Sequence, residues 1–286
     1  MSRRRVPPAA HTPTSTTTEG EQQMSDIVVD KQESTTIITL NRPEAMNSMS
    51  SGLISELTAA MTEFREDGAQ RVAIITGAGD RAFCAGADLK EMASSAASGG
   101  GLPVSPGPDI AGIAATEKPV IAAVNGLAVA GGMELSLCCD IRIATPEAWF
   151  GVFEVKRGIL AGIAVNVLPR VLPYGVAADL LLAAERLPAE RAYALGLVQR
   201  IVPREELLDA ALAKARAIAE SSPAAVWGSK QVLKYWRNLQ QAEQQAYYEA
   251  VVHRVLLSGD VLEGPRAFAE KREASFSDGW PKVPGF

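Results

Sequence analysis

Histidine is nearly absent from this chain, which has only two among its 286 residues. One of them, His11, lies in a polar N-terminal stretch, so a Ser-His-Asp or Cys-His mechanism would have to use His253. The same scarcity excludes a zinc site built from several histidines. Acid-base chemistry in this protein therefore falls mostly on carboxylates.

Cysteine and excess positive charge are also lacking. The three cysteines have no metal-ligand spacing, and two of them, Cys138 and Cys139, are adjacent inside an apolar run. This pattern predicts reduced thiols, a cytoplasmic protein and no bound metal. The formal net charge is −5. Such a chain has no electrostatic footprint for nucleic acid or for an anionic membrane.

One apolar run, residues 120–139, is long enough to cross a membrane. An Asn-Gly pair at 125–126 predicts a turn within it, and a Gly-Gly pair at 131–132 predicts a second break. We therefore predict a buried strand over 120–124, then a loop and a buried helix, and no membrane span.

The remaining chain divides by composition. Residues 1–25 are rich in Ser, Thr, Pro and Arg, which predicts a disordered tail, either a transit peptide or a dispensable extension. Over about residues 27–150, short apolar strands alternate with helices, which predicts βαβ units and a parallel sheet. After about residue 160 the pattern is helical. We predict an α/β core over 26–200 and a helical C-terminal region over 201–286.

Individual elements follow from apolar spacing and turn residues. A helix is predicted with Ser50 or Ser51 as its cap and Gly68 as its stop, and the small residues of 93–108 predict a mobile loop. Further helices are predicted over 109–116, 131–139, 162–172, 174–184, 188–196, 204–221, 223–258 and 260–273.

Two stretches, "AFCAGADLKEM" (82–92) and "AVAGGMELSL" (128–137), share a pattern of apolar strand, small-residue turn and helix start. The first amides of a helix have no intrahelical partner, so two such turns could aim two N–H groups at one oxygen. The plain alternative for the first stretch is a tight turn capped by Asp88. Glu134, in the second stretch, could also serve only as a partner of the helix dipole.

A second acid, Glu154, follows a strand-like stretch at 149–153. A salt bridge to Lys156 or Arg157 would explain it in isolation. If the fold brings Glu154 to Glu134, the two carboxyl groups could share a proton. One would then activate a water molecule while the other protonates a carbanion.

The chain resembles the crotonase (enoyl-CoA hydratase/isomerase) superfamily over about residues 25–280. The segments that carry the resemblance are "NRPEAMNSMS", "AFCAGADLKEM", "KPVIAAVNGLAVAGGMELSLCCDIRIA", "FGVFEVKRGI", "AYALGLVQRIVP" and "FAEKREASF". The resemblance implies a spiral of ββα units with a helical C-terminal region that builds a homotrimer or homohexamer. It implies an acyl-CoA thioester as substrate, with coenzyme A as part of that substrate and no separate cofactor.

The same resemblance implies roles for single residues. The N–H groups of Ala87 and Gly131 would form an oxyanion hole for the thioester carbonyl, and Glu134 and Glu154 match the two catalytic glutamates of hydratases. The residues implied to bind substrate and coenzyme A are Ala85, Ala87, Asp88, Leu89, Lys90, Gly131 and Lys271, the last on this or a neighbouring subunit.

The presence of both glutamates favours reversible hydration of a 2-enoyl-CoA to a 3-hydroxyacyl-CoA. The alternatives are double-bond isomerisation, hydrolysis or C–C cleavage of another acyl-CoA, a catalytically inactive paralogue, and an RNA-binding relative. An RNA-binding relative needs a basic helix surface, and the most basic stretch, around 230–237, has only Lys230, Lys234 and Arg237.

The chain departs from the hydratase pattern in one segment and at two single residues. "LAGIAVNVLPR" (160–170) stands where hydratases show a Gly-rich stretch, Phe153 replaces a proline, and Ala130 replaces the first of three glycines. Drift in a paralogue is one interpretation. The other is an acyl pocket reshaped for a branched, cyclic or aromatic acyl group.

Overall fold

The computed structural model describes residues 25–98, 108–238, 241–257 and 259–276. Residues 1–24 of the predicted tail and residues 99–107 of the predicted loop lie outside this part of the chain. The strands are β1 Ile27–Gln32, β2 Thr35–Leu40, β3 Val72–Gly77, β4 Ala82–Cys84, β5 Val120–Val124, β6 Leu127–Val129, β7 Ile141–Ala144, β8 Trp149–Gly151, β9 Leu187–Pro188 and β10 Arg200–Ile201. The helices are α1 Ser51–Glu66, α2 Leu89–Ala97, α3 Gly131–Cys138, α4 Ala164–Val171, α5 Tyr174–Leu182, α6 Ala189–Ala194, α7 Leu207–Ala219, α8 Pro223–Arg237, α9 Gln241–Leu257 and α10 Asp260–Ala269.

The strands form two sheets, in the orders β1-β2-β3-β5-β7-β10 and β4-β6-β8-β9. Three successive units, β3-β4-α2, β5-β6-α3 and β7-β8-α4, each send their first strand to the larger sheet and their second to the smaller one. Paired strands are parallel except for β1 with β2 and β8 with β9. This arrangement confirms the predicted α/β core of strand–strand–helix units.

In the smaller sheet, the residues that follow neighbouring strands lie side by side. Because β4, β6 and β8 are parallel, their carboxyl ends lie along one edge. The antiparallel strand β9 brings its preceding residue, Arg186, to the same edge beside the end of β8. The chain after each of these strands is therefore available to build one site.

The inner strands β2, β3 and β5 of the larger sheet are buried on both faces, as their nearly continuous apolar sequences require. One face belongs to a core that includes Leu57 and Phe64 of α1, and the other packs against α7 through residues such as Ala211. Helix α1 begins as predicted, because the Ser50 side chain accepts a hydrogen bond from the amide of Leu53 at 3.1 Å.

The predicted helix over 109–116 is wrong, since this segment forms turns. The Asp109 carboxylate accepts the amides of Ala114 at 2.7 Å and Ala115 at 2.9 Å. Ala111 and Gly112 have φ values of +53° and +74°, which a right-handed helix cannot contain. A local side-chain cap has replaced the helix here.

Three further predictions are corrected. The predicted loop at 93–108 begins too early, because α2 continues to Ala97, and alanine and serine are compatible with a helix. The predicted helix over 223–258 is two helices, α8 and α9. The loop predicted after Val124 contains strand β6, which is held by pairing with β4 and β8.

The apolar run at 120–139 divides into β5, β6 and α3. Among the residues that the structure describes, no helix has both the length and the apolar character to cross a bilayer. The three cysteines are free and buried, and burial raises the pKa of the Cys84 and Cys139 thiols to about 12.

Candidate active site

Two glycine turns of the smaller sheet lie against each other. Gly86 has a φ of +90°, and a Cβ atom at that position would lie 2.9 Å from the nitrogen of Gly131. A Cβ atom on Gly132 would overlap the carbonyl oxygen of Cys84. Small residues are therefore required at both turns so that the backbones can approach each other.

This approach brings together the two predicted oxyanion-hole residues. A Cβ atom on Gly131 would lie 3.5 Å from the amide nitrogen of Ala87, so both residues border the same space. Neither N–H group donates a hydrogen bond within the described part of the chain. Two free backbone donors beside one cavity can bind an oxygen that carries developing negative charge.

Ala130, the residue before Gly131, has a strained backbone. Its φ of +51° and ψ of −127° form a conformation that favours glycine. Its amide donates to the carbonyl of Gly151 at 2.9 Å, and its own carbonyl accepts the amide of Glu134 at 3.1 Å. These bonds at the start of α3 hold the strained turn in place.

Glu134 lies in the first turn of α3 and is 3% exposed. Its Oε1 accepts the amide of Ile163 at 2.7 Å and the amide of Ala164 at 3.0 Å. Burial raises the pKa of Glu134, and the backbone hydrogen bonds at the start of α4 oppose that rise. The carboxylate thus has donors that stabilise its negative charge, although it is buried.

Glu154 opens a 3₁₀ helix, Glu154–Arg157, three residues beyond the end of β8, and is 8% exposed. Its Oε2 is buried and has no hydrogen-bond partner within the described residues. Burial, with the nearby charge of Glu134 as the second cause, raises the pKa of Glu154 to about 8. Both causes favour the protonated form of Glu154.

The alternative explanation of Glu154 as a salt-bridge partner is wrong. The Lys156 ammonium donates to the carbonyl of Ala184 at 3.0 Å, and the Arg157 guanidinium lies 4.8 Å from the ring centre of Phe268. No ion pair among the described residues includes Glu154. An unpaired buried carboxyl group is costly, which is typical of a functional position.

Both glutamates and both free amides line one cavity of about 390 Å³. Its wall is mostly apolar and includes three aromatic rings. The lining residues are Ala85, Ala87, Leu89, Met92, Val129, Ala130, Gly131, Glu134, Trp149, Phe153, Glu154, Arg157, Ile159, Leu160, Ala161, Gly162, Arg186 and Phe268. No group of three or more metal-binding side chains forms within the described ranges.

The structure brings some of the predicted coenzyme A residues to this cavity. Ala85, Ala87 and Leu89 line it, but Asp88, Lys90 and Lys271 do not. Lys90 and Lys271 are exposed.

Asp88 has structural partners. Its carboxylate forms an ion pair with Arg42 at 3.0 Å and accepts the amide of Lys90 at 3.2 Å. Burial acts to raise the pKa of Asp88, but the ion pair with Arg42 and the hydrogen bonds from the amides of Glu91 and Lys90 outweigh it and lower the pKa. The predicted turn capped by Asp88 is therefore present.

One part of the altered segment at 160–170 lines the cavity, and another part belongs to the core. Leu160 lines the cavity, whereas the side chains of Ile163 and Ala164 are buried in the core. The last two residues contribute their amides to Glu134. Only part of this segment can therefore reshape the pocket.

Several lining residues were not predicted from the sequence, among them Trp149, Arg157, Arg186 and Phe268. Arg157 could have been found, since residues three apart in a 3₁₀ helix share a side and Glu154 was already a candidate. Arg186 and Phe268 reach the cavity only through the pairing of β9 and the packing of α10.

The basic stretch around 230–237 does not form a free basic surface. The Lys230 ammonium is buried and contacts the carboxylate of Asp140 at 2.7 Å and the carbonyl of Lys118 at 2.7 Å. Lys234 donates to the carbonyl of Ala115 at 2.7 Å. These contacts anchor α8 to the core, which argues against an RNA-binding face.

The chain is similar to known proteins over most of its length. A family model described as enoyl-CoA hydratase/isomerase matches residues 30–279. The chain belongs to this family. It is 39% identical over 241 residues to (E)-benzylidenesuccinyl-CoA hydratase of Thauera aromatica, covering 84% of this chain and 94% of the relative.

A second relative and a solved structure extend the match. The chain is 37% identical over 257 residues to crotonyl-CoA hydratase of Syntrophomonas wolfei, covering 88% of this chain and 97% of the relative. It is also similar to a carnitinyl-CoA hydratase structure from Mycobacterium avium, with a TM-score of 0.76 and 35% identity over 88% of this chain and 98% of that one. The predicted family and its α/β fold are thus confirmed.

Proposed function

We propose that this enzyme adds water reversibly to a 2-enoyl-CoA to give a 3-hydroxyacyl-CoA. The observation that carries the proposal is the meeting of two buried carboxyl groups, Glu134 and Glu154, with two unbonded amides in one cavity. Hydratases of enoyl-CoA thioesters among its relatives support the same reaction. Hydration needs a base, an acid and an oxyanion site, and this cavity offers one of each.

In this proposal, the thioester carbonyl oxygen lies between the N–H groups of Ala87 and Gly131. Addition of water to the double bond makes an enolate, whose negative charge collects on that oxygen. Loss of one such donor costs about 3–4 kcal/mol of transition-state stabilisation in other enzymes. The apolar wall of the cavity strengthens these hydrogen bonds by excluding water.

The two carboxyl groups divide the proton transfers. Glu134 accepts hydrogen bonds from two backbone N–H groups, which stabilise its negative charge. It therefore takes a proton from the attacking water. Glu154 lacks a partner for Oε2, and burial beside Glu134 favours its protonated form, so it gives its proton to the α carbon. The water oxygen bonds to the β carbon and the double bond becomes a single bond. The net change is the addition of one water molecule to the thioester.

We propose that the coenzyme A moiety lies along the turn from Ala85 to Lys90, which follows β4. Leu89 and Ala85 contact it from the cavity wall, while Asp88 shapes the turn and Lys90 and Lys271 face it from the surface. The reaction transfers only protons and a water molecule, so we propose that it uses no cofactor beyond the coenzyme A of the substrate.

The acyl group fits a cavity with aromatic walls. Trp149 and Phe153 lie edge to face, with ring centres 6.0 Å apart, and Phe268 completes the wall from α10. Leu160, from the altered segment at 160–170, also lines the cavity. These side chains support the interpretation that the pocket accepts a branched, cyclic or aromatic acyl group.

We further propose a cytoplasmic homotrimer or homohexamer. In it, the region over 26–200 carries both carboxyl groups, and the helical region over 201–286 builds the assembly and adds Phe268 to the cavity wall. The support is a set of large apolar side chains that the C-terminal helices leave about half exposed or more. They are Trp227, Val232, Leu233, Tyr235, Leu257 and Leu262. Light scattering coupled to size-exclusion chromatography tests this assembly.

The experiment that tests the function is mass spectrometry of short, long, branched and aromatic 2-enoyl-CoA thioesters after incubation with the protein. Gain of one water on a panel member, lost in Glu134→Gln, supports hydration. Unchanged mass with a migrated double bond indicates an isomerase instead. A gain of water that persists in Glu134→Gln contradicts the assigned role of this residue.

A further inference from the structure

Two arginine side chains line the cavity beside the carboxyl groups that the proposed reaction uses. Arg157 ends the 3₁₀ helix that Glu154 begins, so both side chains lie on the same side of that helix. The backbone of Arg157 is fixed by α10, because a Cβ atom on Gly264 would overlap the carbonyl group of Arg157. Arg186 precedes β9 and is exposed at the rim.

Each guanidinium group stacks on an aromatic ring. Arg157 lies 4.8 Å from the ring centre of Phe268, and Arg186 lies 4.3 Å from that of Trp149. Such stacking orients the guanidinium plane and leaves the N–H groups at its edge available. Within the described ranges, Arg157 donates only to the carbonyl of Lys156, at 3.3 Å, and neither arginine forms an ion pair with a carboxylate.

The sheet order places Arg186 away from the coenzyme A turn, and it places Arg157, which follows β8, between that turn and Arg186. That turn follows β4, the oxyanion residue Gly131 follows β6, Glu154 follows β8, and Arg186 adjoins β9. Neighbouring strands are about 4.8 Å apart, so Arg186 lies roughly 14 Å along the sheet from the coenzyme A turn. A thioester bound at Gly131 therefore extends its acyl chain toward Arg186.

We propose that the acyl group of the substrate carries a carboxylate, which Arg157 and Arg186 bind on the β8–β9 side of the cavity. This inference rests on the proposed function for the direction in which the thioester lies. Guanidinium groups match carboxylates in shape and charge, and the pair provides several oriented donors. The same two cations disfavour an acyl chain that ends in a quaternary ammonium group.

A matched pair of substrates tests the inference. 4-Carboxycinnamoyl-CoA and its 4-methyl ester share the enoyl thioester and differ in one negative charge. We expect kcat/KM to be higher for the acid, and the acid-to-ester ratio to fall about 10- to 100-fold in Arg157→Met and Arg186→Met together. Arg191→Met, an exposed arginine on α6 outside the cavity lining, serves as the matched control and keeps the wild-type ratio.

Other outcomes overturn the inference. If the two variants lower kcat/KM equally for acid and ester, the arginines bind a coenzyme A phosphate or support the fold. A wild-type preference for the ester, or for a chain ending in a quaternary ammonium group, also contradicts it.

A binding measurement separates failure of this inference from failure of the proposed reaction. Titration calorimetry with the saturated analogues, 3-(4-carboxyphenyl)propanoyl-CoA and its methyl ester, needs no turnover. Tighter binding of the acid, lost in the double variant, supports the arginine site even if no thioester gains water. Equal binding of acid and ester, in a protein that hydrates cinnamoyl-CoA, overturns the arginine site alone.

Discussion

The amide of Ile163 donates to Oε1 of Glu134 at 2.7 Å, although the two residues are 29 positions apart in the chain. The bond joins the first turn of α3 to the start of α4, and a second amide, from Ala164, reinforces it. The charge of Glu134 is therefore stabilised by the backbone of the segment whose sequence departs most from the hydratase pattern. The side chains of this segment can therefore vary while its backbone amides still donate to Glu134.

The rate of hydration should depend on the proton of Glu154. The active form has one proton on the pair, held by Glu154, whose pKa burial and the charge of Glu134 raise to about 8. We expect kcat/KM to fall above about pH 8, as that proton is lost. A pH profile of kcat/KM measures this limb. A profile that stays level to pH 10 contradicts the assignment of Glu154 as the acid.

Glu154→Gln should stabilise the folded protein at alkaline pH. The pKa of this group is higher in the folded state than in the unfolded chain, so the native state loses stability as pH rises from about 4.5 to 8. Glutamine cannot ionise. We expect its stability advantage over the wild type to grow across this interval by roughly 2–4 kcal/mol and then to level off. Urea denaturation at pH 5 and pH 9 measures it. An advantage that is the same at both pH values argues against a buried, protonated Glu154.

Alanine at two neighbouring glycines should have different effects. At Gly132 the new methyl group meets the backbone of Cys84, which cannot move aside, so Gly132→Ala should unfold at markedly lower temperature. At Gly131 it meets the flexible end of Met49 and lies 3.5 Å from the amide of Ala87, in the place proposed for the thioester oxygen.

Gly131→Ala should therefore stay folded and lose at least about tenfold in kcat/KM. Thermal unfolding and steady-state kinetics of both variants separate the two effects. Full activity in Gly131→Ala would rule out the proposed oxyanion site.

Ala130→Gly should relieve backbone strain. Glycine adopts the φ of +51° and ψ of −127° at this position without a steric cost, whereas alanine pays about 1–2 kcal/mol. Part of that gain is offset by the greater freedom of glycine in the unfolded chain, about 0.4–1 kcal/mol. We expect a net stabilisation of up to about 1 kcal/mol, measured by urea denaturation. Clear destabilisation would show that the methyl group of Ala130 makes a contact worth more than the strain.

Local patterns in the sequence predicted the parts of the site that depend on local structure. The strand, small-residue turn and helix start around Gly131 could be read directly, because each needs only neighbouring residues. The Ser50 cap could be predicted for the same reason. The helix expected over 109–116 failed because the Asp109 side chain competes for amides that helical spacing alone does not reveal.

The rest of the site depends on contacts between distant segments. Arg186 enters through a two-residue strand, β9, whose pairing with β8 leaves no periodic signal in the sequence. Phe268 arrives with α10, which packs against the 3₁₀ helix beginning at Glu154. Spacing within one segment cannot show which face of another segment it will meet.

Hydration of cinnamoyl-CoA in ¹⁸O-labelled water, followed by mass spectrometry of the thioester, is the sharpest test of the two-carboxylate mechanism. The wild-type enzyme should add one labelled water, and Glu134→Gln and Glu154→Gln should each slow that addition by about 10²–10⁴-fold while remaining folded. Glu185→Gln, an exposed glutamate outside the cavity, is the matched control and should keep the wild-type rate. Undiminished incorporation of label in either Glu134→Gln or Glu154→Gln would contradict the two-carboxylate mechanism.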